Sequence, residues 1–287
     1  MKRSFGTHSG TFHADEVTAC SLLLLFDLID KDKIVRSRDL KVLDKCEYVC
    51  DVGSMYDPDK KRFDHHQVEY TGALSSAGMV WKYLKEQGRV DQKTYDFFNR
   101  SLIWGVDAHD NGKMDVEPGV CTFSNVISNF VPIVHDAKDD VINEAFLEAI
   151  DFTYGHLQRL LKRYQYIEGC RGDIVEAMSP NKKFLLLERS MPWLDLFFDL
   201  GGEKHPALFV VMPSGKHWKL RCIPPNEKEK MKVRLPLPEK WAGLMDKELE
   251  VASKIPGGVF CHKGRFISVW ETKEAALKAL SFVLEGV

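Results

Sequence analysis

Residues 6–16 read GTHSGTFHADE and decide the fold of the first half of the chain. A short strand is predicted to end near Thr7, and a segment from Asp15 to Ile29 follows the turn. That segment is apolar on almost every side, which is typical of a helix buried on all faces. The segment therefore indicates an α/β protein: a strand is followed by a turn with two imidazoles and two carboxylates, and then by a buried helix.

Short strands and helices go on alternating through the first half of the chain. Residues 33–38 and 47–51 have the composition of strands, and Gly53 stops the second of them. Residues 75–87 and 91–108 have the apolar spacing of helices. Such alternation predicts a mostly parallel sheet with helices on both faces.

The middle of the chain predicts one long helix. Residues 139–168 contain no proline, and apolar side chains recur there at steps of three and four. Strand-like segments follow, and a helix near 272–284 ends the chain. We therefore predict a two-lobed α/β protein with a smaller second lobe. The predicted parts are an N-terminal domain at 1–140, a connecting helix at 141–180 and a C-terminal domain at 181–287.

The composition excludes several classes of protein. The chain has 287 residues, with 40 basic and 42 acidic side chains and a formal charge of -2, so it does not coat nucleic acid by bulk charge. Its longest apolar run, residues 22–26, is far shorter than the ~20 residues of a membrane span, and no membrane partner is expected. The seven cysteines form no CxxC pair, which indicates free thiols and a cytoplasmic protein. No feature specifies an oligomeric state.

Three further segments combine carboxylates with imidazoles or end a strand on a carboxylate. Asp51 follows an apolar strand, residues 62–67 read RFDHHQ, and residues 107–112 read DAHDNG. Each has an ordinary interpretation when it stands alone: a turn before a glycine, an exposed loop and a helix stop. Asp15 alone could likewise serve only to complement the helix dipole.

Taken together, these segments predict a metal centre. The carboxyl ends of parallel strands meet at one edge of a sheet, so side chains far apart in sequence converge there. Imidazoles and carboxylates without a thiolate favour a divalent metal such as Mn²⁺ over structural zinc. Six candidate ligands are too many for one catalytic ion. They fit two ions that share a carboxylate, an arrangement used for phosphodiester hydrolysis.

The sequence resembles the DHH phosphoesterase superfamily through the triplet Asp64-His65-His66, and within it the melanocyte-proliferating-gene family. The closer resemblance rests on residues 6–16, 62–67 and 107–112, and it extends over the whole chain. It implies a two-lobed fold with two Mn²⁺ ions in the N-terminal lobe and Mg²⁺ as the alternative metal. The C-terminal lobe would close over the substrate.

The resemblance also implies roles for individual residues. Asp51 would bridge the two ions, His66 would contact phosphate and Asp64 would orient a ligand imidazole, so these three are the expected catalytic residues. The superfamily's first motif usually reads His-x-x-x-Asp-x-Asp. Here His13 occupies the place of its first Asp, and the spacing from His8 is one residue longer. The expected metal ligands are His8, His13, Asp15, Asp51, His65 and Asp107.

The second lobe is expected to supply specificity. Residues 255–265 resemble a variant of the glycine-rich substrate motif in the superfamily's C-terminal domain, since two glycines allow close approach of a ligand and basic side chains follow. The alternative is a hairpin with exposed basic residues. The expected substrate contacts are His66, Asp110, Gly257, Gly258, His262, Lys263 and Arg265.

A basic stretch covers residues 216–234, with seven Lys or Arg side chains against two Glu. Together with Trp218 it could bind a single nucleic-acid strand by charge and stacking. The alternative interpretation is a solvated loop.

The predicted function is a Mn²⁺-dependent exonuclease that acts on single-stranded RNA or short oligonucleotides through a metal-activated water. One alternative is a phosphohydrolase of small molecules, such as a nucleotide, pyrophosphate or a cyclic dinucleotide. The other is a metal-stabilised module that binds RNA or protein without catalysis. The intact carboxylates argue against this last interpretation, because a module without catalysis has no need for six ligand-type residues.

Overall fold

The computed structural model describes residues 1–115, 117–134 and 136–286. The chain divides into two compact units, Met1–Tyr164 and Gln165–Val287. This division lies within the predicted long helix, and the three-part division into 1–140, 141–180 and 181–287 stays a prediction. Among the described residues, no helix combines the length and the apolarity that crossing a membrane requires.

The first unit contains a five-stranded sheet. Its strands are β1 (Phe5–Thr7), β2 (Ile34–Arg36), β3 (Tyr48–Cys50), β4 (Tyr56–Asp57) and β5 (Arg62–Phe63). Their order across the sheet is β2-β1-β3-β5-β4. β1 pairs in parallel with β2 and β3, and β3 pairs in parallel with β5, whereas β4 at the edge is antiparallel to β5. The prediction of a mostly parallel sheet is confirmed.

Helices connect and cover these strands. They are α1 (Ala14–Leu25), α2 (Leu40–Leu43), α3 (Ser76–Glu86), α4 (Gln92–Phe98), α5 (Trp104–Asp110) and α6 (Phe123–Ser128). α1 ends before the predicted Ile29, because Asp27 adopts a left-handed backbone conformation with φ 55°. Between α4 and α5, Asn99–Ile103 forms a π-helical turn, so the helix predicted over 91–108 consists of three successive helical segments.

The two faces of the first sheet are covered unequally. Successive side chains of a strand point to opposite faces. Tyr48 and Cys50 therefore pack into the large core beneath α1 and α3. Val49, between them, packs on the other face against Leu43 of α2 and Cys46. Helices thus lie on both faces, as predicted, but the second face carries the four-residue helix α2.

A helix of 31 residues, α7 (Asp139–Gly169), begins in the first unit and continues into the second. Its side chains Phe146, Ile150 and Leu157 are fully buried in the core of the first unit. Gly155 does not interrupt it. The predicted long helix is present because its apolar side chains recur on one face.

The second unit contains another five-stranded sheet. Its strands are β6 (Phe184–Leu186), β7 (Phe209–Ser214), β8 (His217–Cys222), β9 (Gly258–Cys261) and β10 (Ile267–Trp270), in the order β6-β7-β8-β10-β9. β6 and β7 are parallel, and the other pairs are antiparallel. Its helices are α8 (Arg171–Ala177), α9 (Leu194–Asp199), α10 (Asp246–Ser253) and α11 (Lys273–Leu284). The prediction of two α/β parts is confirmed.

Candidate metal centre

Three parallel strands end at the same edge of the first sheet, and a polar side chain follows each of them. His8 follows β1, Asp51 follows β3 and Asp64 follows β5. Asp51 has a left-handed backbone conformation with φ 57°, and Gly53 has φ 98°, so the chain turns sharply as it leaves β3. The parallel pairing of the strands is therefore what brings these distant residues together.

The loop after β1 places further polar groups at the start of α1. The backbone N–H of His13 donates to both carboxylate oxygens of Glu16, at 2.9 and 3.0 Å. Asp15 and Glu16 are both fully buried in the first helical turn, where the helix dipole favours negative charge. This arrangement fixes the Glu16 carboxylate and the backbone of His13 relative to each other.

Arg36, at the end of β2, holds the same loop from the side of the sheet. Its guanidinium donates to the carbonyl of Gly10 and to the side chain of Asn143. It also lies over the rings of Phe12 and Phe146, at 5.6 and 4.5 Å from the centroids. Arg36 is thus a positioning residue for the loop that carries His13.

Three overlapping groups of side chains have ligand atoms within 4.8 Å of one another. The groups are His8, His13, Glu16 and Asp51; Asp51, His65 and His66; and His13, Asp15 and Asp110. Asp51 is shared by the first two groups, and His13 by the first and third. The structure therefore brings together His8, His13, Asp15, Asp51 and His65, which are five of the six predicted ligands.

The two most buried imidazoles each contact two carboxylates. His8 Nε2 lies 3.2 Å from Glu16 Oε1 and 3.2 Å from Asp51 Oδ2. His65 Nε2 lies 3.1 Å from Asp110 Oδ2 and 3.4 Å from Asp51 Oδ1. The two oxygens of Asp51 therefore face different imidazoles, as expected of a carboxylate that serves two neighbouring sites.

These contacts shift the pKa values of the two imidazoles and of the Asp51 carboxylate. Burial acts to lower the pKa of His8, but its hydrogen bonds with Asp51 and Glu16 outweigh burial and raise the pKa to about 10. Burial is likewise outweighed at His65, where Asp110 and Asp51 raise the pKa to about 10. Burial acts to raise the pKa of Asp51, but His65 and His8 lower it to about 2. Protonated imidazoles thus balance the carboxylates, and a metal cation can take over that role.

Asp15 carries the strongest sign that a cation belongs here. Both of its carboxylate oxygens are buried and have no hydrogen-bond partner among the described residues. Burial and the nearby Asp51 carboxylate raise the pKa of Asp15 well above its ordinary value. A buried carboxylate without a partner is costly unless a cation pairs with it. Together with the imidazole and carboxylate donors, this fits divalent metal ions.

Asp64 orients one imidazole of the second group, that of His66. Its Oδ1 accepts hydrogen bonds from His66 Nδ1 at 2.8 Å and from the His66 backbone N–H at 3.1 Å. Its Oδ2 accepts from the backbone N–H of Ser54 at 2.6 Å. Asp64 is buried, whereas the His66 side chain is 61% exposed. The His66 ring is therefore held from one side and open to a ligand on the other.

Asp107, the sixth predicted ligand, does not belong to the three groups formed by the described residues. Its Oδ1 accepts hydrogen bonds from the N–H and hydroxyl of Ser75 and from the N–H of Gly78, so it caps the start of α3. Burial raises its pKa to about 6, despite these hydrogen bonds. Asp110 is the α5 carboxylate that reaches the cluster, and its expected contact with substrate stays a prediction. A metal role for Asp107 stays a prediction.

Glu16 was not predicted as a ligand, although it lies in the quoted segment 6–16. The sequence pattern that could have indicated it is its position three residues after His13, at the start of a buried helix, where a Glu side chain reaches back to the residue before the helix. The structure places its carboxylate in the first group, beside His8.

Two cavities open onto the cluster. One has a volume of about 480 Å³ and is lined by His8, Arg38 and Asp64, among others. The other, of about 440 Å³, is lined by Asp15, His65 and Asp110, among others. The side chains that line both cavities are His13, Asp51 and His66.

The glycine-rich segment lies in the second unit, as the turn into β9 and the hairpin between β9 and β10. The N–H of Gly257 donates to the Glu250 carboxylate, and its carbonyl accepts from the N–H of Glu271 at 2.8 Å. His262 Nδ1 accepts from the N–H of Gly264 at 2.9 Å. The backbone of Gly257 is therefore engaged within the unit. Substrate contacts by Gly257, Gly258, His262, Lys263 and Arg265 stay a prediction.

Comparison with known proteins identifies relatives over almost the whole chain. The MYG1 exonuclease profile, described as "Uncharacterised protein family (UPF0160)", matches residues 4–282. A MYG1 protein of Chlamydia pneumoniae is 52% identical over 285 residues, covering 99% of this chain and 98% of its own. The MYG1 exonuclease of Homo sapiens is 32% identical over 325 residues, covering 95% of this chain and 83% of its own.

Solved structures show a more distant likeness. A pGpG-specific phosphodiesterase, PggH from Vibrio cholerae, has a TM-score of 0.34 and 13% identity, covering 99% of this chain and 98% of its own. RecJ from Thermus thermophilus in complex with Mg²⁺ has a TM-score of 0.31 and 10% identity, covering 98% of this chain and 50% of its own.

The profile and the sequence relatives span nearly all of the chain, so the resemblance to the melanocyte-proliferating-gene family is confirmed. The chain belongs to the MYG1 exonuclease family and is a hydrolase of phosphate esters.

Proposed function

We propose that the chain is a metal-dependent phosphodiesterase that acts as an exonuclease on single-stranded RNA or short oligonucleotides, with two Mn²⁺ ions. The observation that carries the proposal is Asp51, which two groups of ligand side chains share. A carboxylate common to two cations is the arrangement that serves in-line displacement at phosphorus. The exonuclease names of the mammalian relatives support the same reaction class.

The cluster offers a place for each cation. His8, His13, Glu16 and Asp51 would hold one cation. The other would lie among the remaining ligands of the three groups, Asp15 and Asp110 beside His13, and His65 and His66 beside Asp51. When bound, such cations lower the pKa of a water molecule and neutralise charge on the phosphate. No serine or cysteine nucleophile is then required.

The protein's own side chains orient the substrate. His66 lines both cavities, and its Nδ1 faces Asp64 and Asp51, so Nε2 is the nitrogen left to contact a phosphate oxygen. Arg38 lines the larger cavity, with its guanidinium 3.5 Å from His8 Nδ1. A guanidinium there is suited to contact a phosphate oxygen.

The size of the cavities favours one alternative, hydrolysis of a small phosphate ester. Their volumes of about 480 and 440 Å³ lie within the ~300–1,000 Å³ typical of small-molecule sites. A nucleotide, pyrophosphate or a cyclic dinucleotide would meet the same metal ligands. The reaction at phosphorus would be unchanged, and the substrate would differ.

A direct assay separates these proposals. 5′-labelled single-stranded RNA and DNA are incubated with Mn²⁺, Mg²⁺ or chelator, in parallel with nucleotides, pyrophosphate and a cyclic dinucleotide. We expect a metal-dependent ladder of shortened RNA. Hydrolysis of the small molecules alone would favour the alternative, and inactivity on every substrate would favour a binding module.

Metal binding itself is expected to stabilise the fold. Adding Mn²⁺ to chelator-treated protein should raise the melting temperature, because a ligand at about 100 times its Kd contributes about 2.7 kcal/mol. Differential scanning calorimetry measures the shift. Asp51→Asn should reduce it strongly, whereas Asp59→Asn, an exposed acid, should leave it unchanged. An equal shift in both variants would contradict the proposed ligand set.

Asp64→Asn is expected to lower the hydrolysis rate by about 10- to 100-fold, as is typical when the partner of a ligand imidazole is changed. Asparagine keeps the side-chain volume but replaces the carboxylate that accepts from His66 Nδ1 with a neutral amide, so the ring is held less firmly. Initial rates at saturating Mn²⁺ test this, again with Asp59→Asn as the control. Wild-type rates in Asp64→Asn would exclude the positioning role.

We also propose a cytoplasmic location. All seven cysteines are free, as expected in a reducing compartment. Fluorescence microscopy of the tagged chain would test it.

A further inference from the structure

We infer that the second unit holds a separate site for a nucleotide-type phosphate ligand, at Lys219 and Arg221 of β8. The two side chains line a cavity of about 330 Å³ together with Met191, Trp193 and Lys230, among others. The metal-centre residues do not line it. Binding there requires no metal, so the inference goes beyond the proposed hydrolysis.

The position of the site follows from the register of the second sheet. Arg221 stands opposite Val210 of β7, and Lys219 stands opposite Met212, so all four share one face. Val210 and Met212 are buried in the apolar core that includes Trp193 of the segment before α9. Lys219 and Arg221 lie on the same face of the sheet, on the neighbouring strand β8. Two cations therefore stand at the border of an apolar core.

These cations have no acidic partner among the described residues. The cavity is also lined by one carboxylate, that of Asp195, which is paired with the third cation, Lys230, at 2.8 Å. Burial and the neighbouring Arg221 lower the pKa of Lys219, because both disfavour its charged form. Leaving two adjacent cations half-buried without a counter-charge is unfavourable. An anion in the cavity would remove that cost.

The lining specifies the chemistry of the ligand. Arg221 offers a planar fork that matches phosphate oxygens, and Lys219 adds a point charge beside it. Met191, Trp193 and Leu194 supply apolar surface for a base or sugar. The volume is sufficient for a small ligand. A phosphate attached to a base and sugar, as in a nucleotide or the end of an oligonucleotide, satisfies both parts.

The site also explains part of the basic stretch over residues 216–234. Lys219, Arg221 and Lys230 meet in the cavity. Arg234, in contrast, is structural, since its guanidinium donates to the carbonyls of Gly202, His205 and Ala207. The stretch is therefore divided between a structural arginine and a local phosphate site.

Calorimetric titration of the full chain with adenosine 5′-monophosphate, uridine 5′-monophosphate and inorganic phosphate, all in chelator, tests the inference. We expect both nucleotides to bind. The double substitution Lys219→Gln with Arg221→Gln should weaken binding by about tenfold or more, because hydrogen bonds to charged groups are lost. Lys216→Gln with Lys228→Gln, which changes exposed lysines of the same stretch, is the matched control and should bind like wild type.

Three controls keep the outcome unambiguous. Asp51→Asn should bind nucleotides normally in chelator, so loss of binding there would place the ligand at the metal centre and overturn the inference. Unchanged affinity in the Lys219→Gln and Arg221→Gln double variant, or no nucleotide binding by wild type, would also overturn it. Inorganic phosphate binding as tightly as the nucleotides would overturn the assigned ligand class.

Arg221→Lys keeps the positive charge but lacks the planar guanidinium, so it should also weaken nucleotide binding. This variant replaces the double variant if the double variant does not fold.

Discussion

Asp51→Asn is expected to reduce metal-dependent hydrolysis by at least about a thousandfold, since the one carboxylate that serves two ligand groups loses its charge and an oxygen. Asparagine preserves the volume and tolerates the left-handed backbone at φ 57°, so the fold should persist. Initial rates on labelled oligonucleotide in Mn²⁺ measure the activity, and circular dichroism measures the fold.

His65→Ala supplies an independent test of the same assignment. Its imidazole contacts Asp51 and Asp110, so the loss of activity should approach that of Asp51→Asn. Asp59→Asn, an exposed acid in the same region, should retain activity. If folded Asp51→Asn and His65→Ala proteins both turned over at the wild-type rate, the metal centre would have to lie elsewhere.

Gly78→Ala is expected to be strongly destabilising, although alanine is normally the better helix residue. A Cβ at position 78 would lie 2.2 Å from Asp107 Oδ2. The carboxylate would have to move, and its hydrogen bonds to Ser75 and to the N–H of residue 78 would be lost in a buried place. Overpacking and lost hydrogen bonds together should lower the free energy of unfolding by about 3 kcal/mol. Urea denaturation measures this change.

Gly105→Ala is the matched control, because Gly105 is also a helical glycine. The nearest atom to its added Cβ lies 3.9 Å away, so there is room for a methyl group. Stability should stay equal or rise by up to about 1 kcal/mol. A similar loss in both variants would show that the contact with Asp107 is not the cause.

Much of the side-chain cluster could be predicted because local patterns and strand topology agreed. His8 and Asp51 each follow a short strand, and the strands are parallel neighbours in the sheet. The buried helix after residue 13 fixed the position of Asp15. For a candidate ligand that directly follows a strand, such as His8 or Asp51, the fold class alone predicts its position at the edge of the sheet.

Other parts depend on tertiary contacts that the sequence does not display. β5 has two residues, Arg62–Phe63, too few for a pattern of alternation. Glu16 reads as an ordinary helix-start acid until its distance to His8 is known. The cavity at Lys219 and Arg221 arises from the register between β7 and β8, whereas the charge pattern indicated only an undivided basic stretch.

The π-helical turn at Asn99–Ile103 determines which carboxylate of α5 faces the cluster of candidate ligands. A π turn holds one residue more than an α turn, so it rotates everything after it by about 100° about the helix axis. Deleting one residue there would remove this rotation. Asp107 would then no longer accept from the N–H of Gly78 at the start of α3, and Asp110 would no longer contact His65. One residue of chain length therefore sets the rotation of α5 that places one acid at the start of α3 and the other beside His65.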